Sequence, residues 1–180
     1  MRSSFALWIF ALLLTLFSAG WQRRTGPTHP ISGHTRVGDH TARWAFERTH
    51  KGAGDHVVNV RAPQAVTGML EWRKFGVAME PVAIPMIRQG EDLVAALPWQ
   101  PPADVLKYRV RLAVEGATVT IPERDPVTIR YTGEVPPYVM ASHILLMILA
   151  MLLSARTGLE CFAREPRLRA FTHATLGVLT

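Results

Sequence analysis

The chain has 180 residues, a formal net charge of +6, 48% hydrophobic residues and a single cysteine. That length holds one domain of ordinary size plus membrane segments, and a lone cysteine excludes a disulfide framework. The pI near 10.2 invites a nucleic-acid reading. The arginines argue against it, because they are scattered along strand-like segments and at the edges of apolar runs, with no basic stripe interleaved with aromatics.

Phe5 to Trp21, FALWIFALLLTLFSAGW, is an apolar run preceded by Arg2. It reads as a cleaved signal peptide or as a retained anchor. Ser18-Ala19-Gly20 offers a weak cleavage site, whereas Trp8 and Trp21 stand near the two ends, as interfacial tryptophans do in a spanning helix. The anchor, residues 1–21, is the reading taken. Residues 22–34 contain Gly26, Pro27, Pro30 and Gly33 and read as an extended linker. At ~3.3 Å per residue it could reach ~43 Å.

From Thr35 the period becomes two. Trp44 and Phe46, Val58 and Val60, Leu70 and Trp72, and Leu93, Ala95 and Leu97 alternate with polar or small neighbours. Tyr108, Val110, Leu112 and Val114 alternate with Lys107, Arg109, Arg111 and Glu115; Val127, Ile129 and Tyr131 close the series. Glycine, proline and acidic turn signals separate the runs. Short antiparallel strands with one buried face predict a β-sandwich over residues 35–134, of the immunoglobulin-like or fibronectin-III-like kind. Tyr108 opens a strong strand after a proline-rich corner and is expected to form a tyrosine corner; Trp72 is the candidate central tryptophan. A seven-stranded sandwich leaves its ends at opposite poles, so the linker is expected to run back along the domain.

The second apolar run, Tyr138–Ala155, covers eighteen residues without Asp, Glu, Lys or Arg. As a helix it is ~27 Å long, close to the ~30 Å hydrocarbon core of a bilayer. Pro136 and Pro137 suit its start. A transmembrane helix is predicted over 135–156, followed by a basic loop, 157–169. From Arg156 to Arg169, Arg156, Arg164, Arg167 and Arg169 outnumber Glu160 and Glu165. The positive-inside rule makes that loop cytoplasmic, the N-terminus cytoplasmic and residues 22–136 periplasmic; Arg23 and Arg24 lie on the wrong side for this rule. Residues 170–180 are apolar but, at ~16 Å as a helix, too short to span.

The segments LPWQPPADVLKYRV, DPVTIRYTGEVPPYVMASHILLMILAMLLSARTGLE and REPRLRAFTHATLGVL resemble a family of uncharacterised bacterial integral membrane proteins. In these an extracytoplasmic β domain lies between an N-terminal anchor and further hydrophobic helices. The resemblance brings no activity with it. It implies the bacterial inner membrane and a third transmembrane helix starting near Ala170, cut short here.

Candidate chemistry is sparse. His29, His34, His40, His50 and His56 match no zinc spacing and are expected as solvated linker and loop histidines. His143, six residues into the membrane helix, is an intramembrane ionisable group. It reads either as an axial haem or chlorophyll ligand or as a hydrogen-bond partner of a neighbouring helix. Ser154 and Gly158, four apart, form a small-xxx-small pair that permits close approach of a partner helix. Arg109, Arg111 and Arg130 form an outward basic face for an acidic protein partner. No catalytic set can be read, and no cofactor is assigned. The expected function is a non-catalytic accessory subunit of a larger membrane complex, respiratory or photosynthetic, bound to the bilayer and to other integral subunits. A membrane-anchored sensor, or a fragment of a membrane enzyme whose site lies in missing helices, are the alternatives.

Overall fold

The structure, a computed structural model, describes residues 4–162 and 168–179. It divides into a helical unit, Met1–Gly26 with Val135–Thr180, and a β unit, Pro27–Glu134.

The described residues of the β unit form eleven strands: β1 (Ile31–Val37), β2 (His40–Phe46), β3 (Thr49–Lys51), β4 (His56–Arg61), β5 (Thr67–Lys74), β6 (Val82–Pro85), β7 (Ile87–Gln89), β8 (Asp92–Leu97), β9 (Val105–Val114), β10 (Ala117–Ile121) and β11 (Val127–Thr132). One sheet has the order β1-β2-β4-β8-β7. The other has β3-β11-β9-β5-β6, with β10 also paired to β9. The strongest alternations are β4, β9 and β11, each buried at every second residue. Their inward side chains meet in one core that includes Phe46, Val60, Leu70, Leu106, Leu112 and Ile129. Each such side chain contributes roughly 1.5–3 kcal/mol by leaving water. This is the expected sandwich, with more strands than the seven of an immunoglobulin unit.

Two expectations about its ends are corrected. The linker is not 22–34: the first helix continues to Thr25 and β1 starts at Ile31, so residues 26–30 remain. Arg23 and Arg24 sit in that helix's last turn, where cations offset the carbonyl end of the dipole. The ends of the sandwich also do not lie at opposite poles. Arg130 of β11 pairs with Val105, at the start of β9, so β11 finishes at that end. β3 runs parallel to β11, and its turn delivers β4 at the same end, His56 beside Leu97. β2 is antiparallel to β4, and Ile31 pairs with Phe46 at the close of β2. The chain therefore enters and leaves the sandwich at one end. The cause is an even number of passes: β2 with β3, β6 with β7, and β10 with β11 each run in one direction, so the eleven strands traverse the sandwich eight times.

β1 forms although Ser32, Gly33 and His34 are weak strand formers. It pairs with β2 along its whole length through a turn at Gly38, whose φ is 57°. Gly33 is required by space: a Cβ there would lie 2.6 Å from the Trp44 ring. Arg88 closes the β4–β5 connection. Its guanidinium donates to the carbonyls of Ala62 (2.6 Å), Pro63 (3.0 Å), Val66 (2.5 Å) and Glu91 (3.3 Å). Backbone acceptors that would otherwise lack partners are thereby satisfied.

The helical unit comprises α1 (Ser4–Thr25), α2 (Pro137–Gly158), a 3-10 turn (Leu159–Phe162) and α3 (Leu168–Leu179). Pro136 caps α2 in extended conformation and Pro137 takes its first turn, where a missing N–H costs nothing. α1 and α2 are both long and apolar enough to cross a membrane. Arg164, Glu165 and Arg167 of the expected basic loop lie outside the described residues.

Candidate interaction surfaces

On the outer face of the six-stranded sheet, register decides which charges meet. β5 and β9 pair so that Glu71 is opposite Arg109 and Met69 opposite Arg111. Both guanidiniums turn to Glu71: Arg109 Nε donates to Oε2 at 2.8 Å, and Arg111 Nη2 lies 2.6 Å from Oε1. The two arginine side chains are 41% and 48% exposed, and they cover the carboxylate, leaving it 10% exposed. Pairs this wet are worth ~0.2–1 kcal/mol each, so the arrangement orients charge more than it stabilises the sheet. Beside it, Glu71, Arg73, Lys107 and Arg109 surround a depression of about 230 Å³, flanked by Pro81 and Pro126. Arg130 stands apart, exposed on β11 opposite Val105. The structure thus joins Arg109 and Arg111 and separates Arg130 from them.

A polar cluster occupies the end where the chain enters and leaves. The His50 ring lies 5.3 Å from that of His56 and 5.2 Å from that of Tyr131, both edge-on. Thr132 Oγ1 donates to the His50 carbonyl, Trp99 N–H to Asp55, and Trp99 Nε1 to the Gly52 carbonyl. His56 is 7% exposed. Burial holds its pKa below the usual histidine value and the nearby His50 adds to this, with Glu47 opposing. Burial, then Asp55, pushes the Tyr131 hydroxyl up to about 12. Tyr108 is raised further, by burial and then Glu47.

These observations correct three expectations. Of the five clustered histidines only His29 lies outside a strand; His34, His40, His50 and His56 belong to β1 to β4. Tyr108 is buried and donates to a backbone carbonyl, but that of Glu47 at 3.0 Å, across the sandwich rather than a few residues upstream. Trp72 is half-buried, while Phe46 and Tyr108, edge-to-face at 5.6 Å, hold the centre.

In the helical unit His143 sits exposed on α2, and no group of three metal-binding side chains occurs among the described residues. Ser154 and Gly158 are exposed, and a Cβ at Gly158 would meet nothing within 4 Å. Ser154 lines a cleft of about 430 Å³ with Leu14, Thr15, Ser18, Met151 and Thr175. Arg156, which closes the far end of the span, is 2% exposed and paired with Glu160, itself 1% exposed. Its guanidinium packs over Trp8 at 5.5 Å and Phe171 at 4.9 Å, and those two rings meet edge-on at 5.8 Å. One side chain thereby ties α1, α2 and α3 together. The signal available in sequence was the i, i+4 spacing of Arg156 and Glu160.

No family model and no curated protein matches the chain. Among solved structures, the Br derivative of BhCBM56, a carbohydrate-binding module, covers 54% of this chain and 97% of its own. The two share 12% identity at a TM-score of 0.37.

Proposed function

We propose that the protein is a non-catalytic accessory subunit of a bacterial inner-membrane complex. α1 and α2 span the bilayer, with the N-terminus in the cytoplasm and the sandwich in the periplasm. The observation that carries this reading is the uncovered surface of α2. Only 6% of its most apolar eighteen-residue window is buried. A core helix of a soluble protein buries most of such a window, because exposed apolar area costs about 25 cal/mol per Å² in water. Lipid or other membrane helices must cover it.

Ser154, exposed in the cleft beside Leu14 and Thr15, and Gly158, with open space at its Cβ position, suit close approach by a neighbouring helix. The Glu71-ordered pair Arg109 and Arg111 gives the sandwich a basic face for an acidic protein partner. Purification in mild detergent with mass spectrometry of the co-purifying chains tests the reading. Reproducible integral-membrane partners, reduced by Gly158→Leu, are the expected result. A lone monomer at native expression would overturn it.

A further inference from the structure

We propose that the sandwich itself rests on the bilayer through the β5–β6 loop, as a second lipid contact independent of the helices. The proposal depends on the membrane reading above and adds a contact that reading does not require. The loop follows Lys74 and turns at Gly76, whose φ is 73°. It presents Phe75, Val77 and Met79 to solvent at 55%, 48% and 37% exposure. Three large apolar side chains alternating along one short loop have no use in the sandwich core, which is complete without them. A cationic collar stands beside them: Arg73, Lys74 and Lys107 line the same depression of about 300 Å³ as Phe75 and Val77. The Lys107 ammonium sits 5.0 Å above the Phe75 ring.

The loop's position selects the partner. Phe75 N–H donates to the Val105 carbonyl at 2.9 Å, which places the loop at the start of β9. β11 finishes there and β1 begins there. Five residues precede β1 after α1, and four separate β11 from α2. At ~3.3 Å per residue, connections that short limit how far this end of the sandwich can stray from the ends of the two helices to roughly 20 Å. An apolar tip inside a ring of Lys and Arg fits the headgroup zone of an anionic bilayer, where side chains enter the acyl boundary and cations meet phosphates. Asp104 is already taken by Lys74 at 2.6 Å, leaving Glu80 as the loop's own carboxylate.

The test uses the full chain with Cys161→Ser, reconstituted in vesicles of three parts phosphatidylcholine to one part phosphatidylglycerol. A nitroxide is placed singly at Val77→Cys, at Gln64→Cys on the loop after β4 at the opposite end, and at Leu145→Cys in α2. Collision with oxygen and with a water-soluble nickel chelate is measured by electron paramagnetic resonance. The expected result is an oxygen-rich, nickel-poor environment at positions 77 and 145 and the reverse at 64. Arg73→Glu with Lys107→Glu should raise nickel access at position 77 several-fold. Nickel access at 77 equal to that at 64, with 145 still lipid-like, would overturn the loop contact and leave the spanning helices standing. A water-like signal at 145 would overturn the membrane reading and the loop contact with it. Shielding of 77 from both reagents would mean a protein surface covers the loop, and would also overturn the proposal.

Discussion

Replacing Arg156 by leucine isolates the strongest electrostatic commitment in the helical unit. Arg156 and Glu160 are both almost fully buried and are paired with one another. Removing one partner of a buried pair leaves an uncompensated charge and costs about 3–5 kcal/mol. The guanidinium also packs on Trp8 and Phe171, contacts worth roughly 0.5–2 kcal/mol each when desolvated. Arg156→Leu should therefore destabilise the unit by about 4–9 kcal/mol. Replacing both, Arg156→Leu with Glu160→Leu, removes the stranded charge and should cost only about 1–3 kcal/mol, mainly lost packing on the rings. The assay is thermal unfolding of the full chain in mild detergent, followed by the helical circular-dichroism signal at 222 nm. A double variant as unstable as the sum of the singles would refute the idea that pairing sustains these charges.

Three further outcomes follow from the sandwich. Gly33→Ala should cost about 1–3 kcal/mol in a denaturant melt, because its methyl group must displace the Trp44 ring; no change would mean the ring swings away freely. His56 has a lowered pKa in the fold, so the unfolded chain binds its proton first. Its contribution is full above the unfolded value near 6.5 and is lost as pH falls below it. The melting point should thus drop between pH 7 and 5, and His56→Phe should flatten that slope; parallel slopes would count against burial as the cause. Arg88→Met should free four carbonyls and raise hydrogen exchange at residues 62–66 by at least tenfold. Unchanged exchange there would show the connection holds without it.

Much of the architecture could be read from alternation. β4, β9 and β11 bury every second residue, as period two requires, and the two charge-free runs became the two long helices. β1 escaped notice because Ser32, Gly33 and His34 carry no strand signal; the pairing with β2 imposes it, and Gly33 is there to admit Trp44. The direction of the chain's ends escaped because it depends on how many times the chain runs the length of the sandwich, which only the pairing of distant strands fixes. Arg109 and Arg111 were legible as neighbours on one face, whereas Glu71 as their shared counter-ion required the β5–β9 register. Arg156 looked like the polar end of a span. Its burial arises from Trp8 and Phe171 on two other helices, and no local pattern encodes it. The apolar loop at Phe75, Val77 and Met79 has strand-like composition, and only its exposed position gives it meaning.

The placement of the two ends of α2 on opposite sides of a bilayer is tested most directly with the native thiol. Cys161 is exposed just beyond α2 and is the chain's single cysteine. In cells whose outer membrane has been made permeable, a membrane-impermeant maleimide should leave Cys161 unmodified until the inner membrane is broken. A thiol at Gln64→Cys, in a Cys161→Ser background, should react at once. Immediate modification of Cys161 beside a protected residue 64, or equal reaction at both, would contradict a sandwich held outside by two spanning helices.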